Sequence, residues 1–458
     1  MTINNLSETI QKQRDFFFTH KTKNITFRLE MLKKLEHSIN KYEDKIIQAL
    51  HDDLKKSPYE AYMTEIGMVK EELNFHLKHL KSWAKPKRVK TPILHFISSS
   101  SIYPEAHGVV LIIAPWNYPF NLLFAPLIGA ISAGNCVVLK PSIHSPHTST
   151  LIVELITNTF REEYISIFMD EERLNQTLKK DKFDYIFYSG NSTFGKKIME
   201  AASKHLTPVA LELGGKSPCI VDREANIDYS ARRIAWGKFL NAGQSCVAPD
   251  YIFVDKEIKN KLIEALQKYI KLFYGENPEE NPDFSRIIND KHFERLCGLM
   301  QKGTILTGGE TKKETRYISP TIIDDINPED PIMQEEIFGP LLPVLGYNTL
   351  DEAISFINSR PKPLALYFFS QSREKQKMVL NQISFGGGCI NDTIMHIAGP
   401  YLPFGGIENS GVGAYHGKAT FDIFSHKKSI LKKSNILDVK LRYPPYKRKM
   451  KLLRRFMK

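Results

Sequence analysis

Gly-Val-Val-Leu-Ile-Ile-Ala-Pro-Trp-Asn-Tyr-Pro-Phe-Asn-Leu-Leu-Phe-Ala-Pro-Leu-Ile-Gly-Ala-Ile-Ser-Ala-Gly-Asn-Cys-Val-Val-Leu (108–139) contains no Asp, Glu, Lys or Arg. A stretch so apolar raises the question of a membrane span. Pro115, Pro119 and Pro126, with Asn117 and Asn121 between them, leave no clean run of about 18–20 apolar residues, so it does not cross a bilayer. It divides instead into a strand at 109–114, a loop, a helix at 120–133 and a short strand at 136–139. A continuous apolar run such as 109–114 is what a strand buried on both faces requires.

The same rhythm continues on both sides. A helix follows at 148–160, then a strand at 185–188 closed by Ser189-Gly190, a helix near 194–204 and a strand at 209–213. Strands alternating with helices predict a parallel sheet of the doubly wound α/β type. After Glu212 the alternation restarts, with strands at 219–221 and 251–254 and helices at 228–241 and 256–273, which predicts a second α/β domain. Upstream, Leu32, Leu35, Ile39 and Tyr42 recur at helical spacing through the first 85 residues. Residues 88–107, with a Ser run at 98–101, read as extended arms.

A chain of 458 residues is too long for one core, so two or three domains are expected. Five cysteines (136, 219, 246, 297, 389), odd in number and without a C-x-x-C pair, support neither a disulfide framework nor a zinc ribbon. A reducing compartment fits best, and the N-terminus lacks a signal-peptide pattern. The net charge of +12 is unevenly placed: residues 439–458 hold nine Lys/Arg and no acid, leaving 54 basic against 51 acidic residues elsewhere. A near-neutral body with a basic tail is not the basic folded face that nucleic-acid binding requires.

Cys246, in Asn-Ala-Gly-Gln-Ser-Cys (241–246), and Glu212, in Leu-Glu-Leu-Gly-Gly-Lys (211–216), give a candidate nucleophile and a candidate base for acyl chemistry. A single Cys is more often a small buried hydrophobe, and a Glu before Gly-Gly can simply end a strand. Asn117, in Pro-Trp-Asn-Tyr-Pro-Phe (115–120), supplies a third polar group and tilts the reading toward a site. Cys136, Cys219, Cys297 and Cys389 lack such surroundings and read as packing residues.

The chain resembles the aldehyde dehydrogenases over nearly all its length. The resemblance is carried by 115–120, 211–218 and 241–251, by Leu-Lys-Pro-Ser (139–142), Met-Gln-Glu-Glu-Ile-Phe-Gly-Pro (333–340) and Leu-Pro-Phe-Gly-Gly (402–406), in the family's order. The short N-terminus, Ala-Tyr-His-Gly-Lys (414–418) and Leu-Arg-Tyr-Pro-Pro (441–445) point to its short, class 3 branch, whose members act on fatty and aromatic aldehydes. The resemblance implies two doubly wound α/β domains, a Rossmann-like cofactor domain (1–83 and 104–213) and a catalytic domain (214–395). It also implies bridging or oligomerisation segments (84–103 and 396–438), with 88–103 paired to residues near 425–438, a homodimer and a cytoplasmic location.

The implied activity is NAD- or NADP-dependent oxidation of aldehydes to acids. Cys246 as thiolate adds to the carbonyl, because only a tetrahedral adduct carries a hydride worth expelling, and the thioester left behind is cleaved by water. A free thiol titrates near 8.5, so an activating environment around Cys246 is expected. Glu212 matches the family's general base, and its carboxyl should be raised by desolvation between Leu211 and Leu213. Asn117 matches the oxyanion donor, together with the Cys246 N–H.

For the cofactor, Gly190-Asn-Ser-Thr-Phe-Gly195 matches the family's dinucleotide turn, with Asn191 where Ser is common. Lys140 matches the lysine that reaches the adenosine ribose, Glu336 the carboxylate on the nicotinamide ribose, and Phe404 a residue packed near the nicotinamide. Where many members carry Glu after Lys-Pro-Ser, this chain has Ile143, which removes a charge that would repel a 2′-phosphate. Trp116 and Phe120 suggest an apolar entrance for medium-to-long aliphatic or aromatic aldehydes. In the tail, Tyr446, Met450, Leu453 and Met457 would share one face of a helix lying on an anionic membrane; a solvated or dimer-docked terminus is the alternative. Rival readings are a coenzyme A-acylating relative, against which Glu212 argues, and a non-catalytic binding protein on the same fold.

Overall fold

The structure, a computed structural model, describes residues 5–456 except 93, 94, 96, 437, 439–441 and 448. Three helices open the chain, Leu6–Phe18, Ile25–Leu54 and Gly67–Trp83. The second buries Leu32, Leu35, Ile39, Tyr42 and Ile46, recurring every three or four residues, as an amphipathic stripe must.

The uncharged stretch forms strand Val109–Ile113, helix Asn121–Ala133 and strand Cys136–Lys140. Both strands are buried at every residue. Each branched side chain so buried contributes roughly 1.5–3 kcal/mol before entropy is counted. The helix is buried from Leu123 through Ala133, and at Gly129 a Cβ would lie 2.1 Å from Thr420 Cγ2, so only glycine permits the close approach of helix Lys418–Ile423. Among the described residues, no helix is long and apolar enough to cross a membrane.

Two parallel sheets organise the body. In the first, the order is Gly411–Val412, Val209–Glu212, Tyr185–Ser189, Val109–Ile113, Cys136–Lys140, Ile165–Ile167, all parallel except the two-residue edge strand. The chain begins at the centre, winds outward one way and then the other, so a crevice opens where the order reverses, between Val109–Ile113 and Tyr185–Ser189. Both the Asn117 loop and the Gly190 turn leave the carboxyl ends of those two strands.

In the second sheet, Pro218–Val221 lies between Tyr251–Asp255 and Ala365–Phe369. Leu341–Tyr347 and Thr321–Asp324 extend one side in parallel and Gly387–Ile390 the other; Thr304–Thr307 adds an antiparallel edge. Residues 213–217 are the short connection between the sheets. A third, antiparallel sheet joins Lys87–Val89, Ser98–Ala106 and Ser425–Lys433, with Ser425 opposite Ala106 and Lys433 opposite Ser98. The tail forms a seven-residue helix, Met450–Phe456. Met457, expected on its apolar face, lies outside the described residues, as do Leu441 and Arg448.

Candidate active site

Cys246 stands in the loop that links helix Ile227–Phe239 to strand Tyr251–Asp255. Asn241 and Ala242 turn the chain through left-handed backbone (φ 52° and 50°), and Gly243 follows at φ 72°. A Cβ on Gly243 would lie 2.2 Å from Gly339 O, so the turn requires glycine. Cys246 is half-buried. Its thiol is not activated in the ligand-free chain. Burial pushes it well above the usual thiol range, the charges of Glu336 and then Glu212 add to that, and the N–H groups of Cys246 and Val247 only partly offset them. The expected activating environment is therefore corrected: two carboxyl groups and a dry setting hold the proton on sulfur.

Glu212 ends its strand with a firmly held backbone: its carbonyl accepts from Gly190 N at 2.9 Å, and its strand pairs with Gly411–Val412. Its side chain is the opposite case. The carboxyl is buried and neither oxygen has a hydrogen-bond partner. Desolvation alone raises it well above the ordinary carboxylate range, as expected from its neighbours.

Asn117 is buried, and its Nδ2 donates to Gln244 O at 3.1 Å, two residues before Cys246, while Oδ1 has no partner. Gln244 is fixed in turn, donating to Arg286 O at 2.9 Å and accepting from Ile288 N at 3.0 Å. The structure thus brings Cys246, Glu212 and Asn117 to one place, where the two sheets meet.

Glu336, partly buried, is raised to about 8 chiefly by desolvation and then by the charge of Asp250. Its Oε1 has no partner. A Cβ on Gly214 would stand 2.0 Å from Glu336 Oε2, so the glycine makes room for the carboxyl. Its segment is anchored by a pair that sequence reasoning passed over: Lys216 Nζ meets Asp250 Oδ2 at 2.5 Å and also donates to Ile332 O and Glu335 O, while Asp250 Oδ1 accepts from Ile337 N. Lys216 and Asp250 both stand inside quoted motifs, but nothing in their spacing announces the pairing. Lys238 was missed as well. It is fully buried, its Nζ has no partner, and burial lowers it to about 8.

A cleft of about 830 Å³ opens here, lined by Ser192, Gly214, Lys216, Glu336, Arg360 and Lys362 among others. Helix Ser192–Ser203 begins at its wall, behind Gly190, and Gly195 lets the helix close on Leu213. Asn191 Oδ1 accepts from Phe194 N at 2.9 Å, so the side chain caps the helix. Between helices Glu171–Lys180 and Ser192–Ser203 lies a second cavity of about 310 Å³, floored by Leu178, Phe194 and Ile198 and rimmed by Lys179, Lys197 and Lys204. Lys140 is buried at the end of its strand, donates to Pro141 O at 3.1 Å, and is lowered by burial against the charges of Glu171 and Asp170.

Phe404 is buried and its backbone pairs with Tyr415 in both directions at 2.8 Å. Tyr415 lies near enough to Glu212 and Cys246 to feel their charges, so 414–418 forms a wall of the same site. Phe120 does not line an entrance: it is 0% exposed and stacked on Phe124. Trp116 is half-buried against His292 and Phe338.

The residues present fit a dinucleotide. A buried carboxyl oxygen without a partner suits a ribose hydroxyl, and a helix start at a switch point suits phosphate. Such a cleft beside a thiol and a desolvated carboxyl defines a dinucleotide-dependent oxidoreductase. Residues 2–430 match the model of the aldehyde dehydrogenase family. The chain is 49% identical, over 100% of both chains, to a 4,4′-diaponeurosporen-aldehyde dehydrogenase of Staphylococcus aureus (strain NCTC 8325 / PS 47). It is 46% identical to a dimeric NADP-preferring aldehyde dehydrogenase of Mus musculus, over 98% of this chain and 99% of that one. A solved substrate-bound AldH of Staphylococcus aureus superposes with a TM-score of 0.98 at 49% identity, covering both chains fully. The chain belongs to the aldehyde dehydrogenase family, on its class 3 branch, and is an NAD(P)-dependent enzyme of that family.

Burial of Glu336 has a consequence for stability. The folded chain holds this proton more tightly than the unfolded chain, whose carboxyl titrates near 4.3. The associated stability is fully present below that value and is lost as pH rises through about 8. Thermal unfolding of the ligand-free enzyme should therefore show a midpoint that falls between about pH 5 and 8, more steeply than in Glu336→Gln. Parallel profiles for the two proteins would contradict it.

Proposed function

We propose that this chain oxidises medium-to-long apolar aldehydes, aliphatic, aromatic and polyene, to carboxylic acids through a covalent thioester on Cys246. The observation that supports it best is a partly buried thiol sharing one junction with a carboxyl whose two oxygens have no partner. The polyene class is suggested by the Staphylococcus aureus relative, named for 4,4′-diaponeurosporenal. Exposed Met395, Tyr401 and Leu402, next to Phe404, supply an apolar surface for such a chain.

In this reading 1–83 and 104–213 hold the cofactor, 214–395 carry the catalytic thiol, and 84–103 with 396–438 bridge subunits. Cys246 loses its proton to Glu212, directly or through water, and its sulfur adds to the aldehyde carbon. Asn117 and the Cys246 N–H receive the negative oxygen, each such donor being worth about 100-fold in rate. NAD or NADP, held in the cleft lined by Glu336, would supply the hydride acceptor. Glu212, having passed the thiol proton to solvent, takes a proton from water as the water oxygen adds to the thioester carbon; the carbon–sulfur bond then breaks, the acid leaves, and that proton returns to the Cys246 sulfur. Glu336 would hold the nicotinamide-side ribose, Gly190, Asn191 and Gly195 the turn at the pyrophosphate, and the slot between the two helices the adenine. Lys140 would reach the adenosine ribose and Phe404 pack beside the nicotinamide.

Turnover should release free acid without coenzyme A and vanish in Cys246→Ala. In Glu212→Gln the acyl-enzyme should accumulate, detectable by mass. The rising limb of kcat against pH should lie well above the ordinary carboxylate range in wild type, since the base must lose its proton to act. Release of acyl-coenzyme A in place of acid would favour the acylating rival.

Ile143 is 46% exposed and offers no carboxylate near Lys140. NADP should accordingly serve at least as well as NAD. A kcat/KM ratio favouring NAD by about 100-fold or more would sink this reading.

The enzyme is proposed to be a cytoplasmic homodimer that touches anionic membrane through 446–458. Exposed Tyr446, Met450 and Leu453 lie among Lys447, Lys451 and Arg454, and each basic group near lipid is worth about 1 kcal/mol. Deletion of 446–458 should leave a dimer in sedimentation velocity yet abolish co-sedimentation with phosphatidylglycerol vesicles. Unchanged vesicle binding, or loss of the dimer, would favour a docked terminus.

A further inference from the structure

The loop that carries Asn117 is held from behind by a buried ion pair that belongs to no motif. Lys56 and Glu65 are both 0% exposed, with Lys56 Nζ 2.7 Å from Glu65 Oε1. The same ammonium donates to Asn117 O at 3.0 Å and stands 4.1 Å from the centre of the Tyr118 ring. Glu65 Oε2 accepts from Phe120 N at 3.1 Å and Asn121 N at 2.8 Å. Those N–H groups open helix Asn121–Ala133, which has no side-chain cap of its own. A carboxylate at that end satisfies orphan donors and meets the positive end of the helix dipole. Asn241 completes the link to the thiol loop, donating to Asn117 O at 2.9 Å and Gln244 O at 3.1 Å.

Stability alone is a weak reason for such a pair. Two charges lose their hydration, and an apolar pair of similar volume is often as stable. Glu65 moreover sits in a π-helical turn, Tyr62–Ile66, followed by Gly67, whose Cβ would lie 2.9 Å from Tyr62 O. Turns of this kind recur at functional sites. The remaining hydrogen bonds of both side chains go to the main chain of 117–121 and to nothing else in the site.

We infer that Lys56 and Glu65 are positioning residues for aldehyde oxidation: they fix the main chain of 117–121 so that the Asn117 amide meets the oxygen as it becomes an anion. This rests on Asn117 acting as the oxyanion donor, as proposed above. Both act through that backbone, and a shift of about 1 Å there costs on the order of 100-fold in rate.

The test compares Lys56→Met/Glu65→Met, Glu65→Gln and Asn117→Ala in the full chain with saturating NAD or NADP and decanal. Rapid mixing gives the first-turnover rate of NAD(P)H formation, and iodoacetamide titration counts competent Cys246 thiols. Replacing both charges leaves neither buried alone, so the unfolding midpoint should stay near wild type. The first-turnover rate per titrated thiol should fall between about 10- and 100-fold in the double variant, with cofactor KM within about twofold. Glu65→Gln keeps an oxygen for Phe120 N and Asn121 N and should recover part of that rate.

A double variant whose rate per thiol stays within about threefold of wild type, while Asn117→Ala is impaired, would overturn the inference alone. Unimpaired Asn117→Ala would overturn the reading beneath it. Fewer thiols at an unchanged rate would show a purely structural pair and also count against positioning. Should the double variant not fold, Glu65→Gln decides by the same measure: a lowered rate per thiol supports the inference, and a wild-type rate overturns it.

Discussion

The site depends on two carboxyl groups drawn out of water with fewer partners than their oxygens could take. Glu212 is buried with neither oxygen partnered, and partly buried Glu336 keeps its Oε1 without a donor. Leaving such groups unsatisfied costs a fold several kcal/mol in total, and they titrate upward in response. The surroundings that tolerate this are rigid. Parallel strands end at the junction from both sheets, and Gly190, Gly411 and Ser410 hold the backbone on either side of Glu212. The Lys216–Asp250 pair pins the segment of Glu336. Held carbonyls and released side chains are the common pattern.

Much of this was legible in the sequence because it rests on local signals. The uncharged run 108–139 could form only buried strands and a buried helix, and its prolines excluded a span. The alternation of strand and helix gave the doubly wound class, but the strand order, and with it the reversal point beside Asn117 and Gly190, came only with the structure. Glu212 between two leucines announced its own desolvation. The pairing of an N-terminal arm with residues near 425 was also anticipated, and it settles as Ser98–Ala106 against Ser425–Lys433.

What escaped the sequence depends on contacts between distant segments. The thiol was expected to be activated, yet burial first, and then Glu336 and Glu212 from other segments, oppose its ionisation. Phe120 looks like an entrance residue because it follows a motif, but helix geometry turns it onto Phe124. That the Asn191 oxygen caps the helix behind Gly190 was likewise not read from the sequence. Lys56, Glu65 and Lys238 are charged residues in ordinary helical sequence. No periodicity reveals that a lysine is completely buried.

The joining of far ends of the chain bears on how the molecule is made. Strand Gly411–Val412 closes the edge of a sheet whose other strands are complete by Glu212, and Ser425–Lys433 pairs with residues more than three hundred positions earlier. During synthesis the sheet edge and the serine-rich arm of the first half have no partner strand until residues 411–433 have been made. Such long-range closures form late and slowly. A nascent chain of this enzyme is therefore exposed at the same two edges throughout elongation. That makes residues 411–433 the segment whose arrival closes both edges at once.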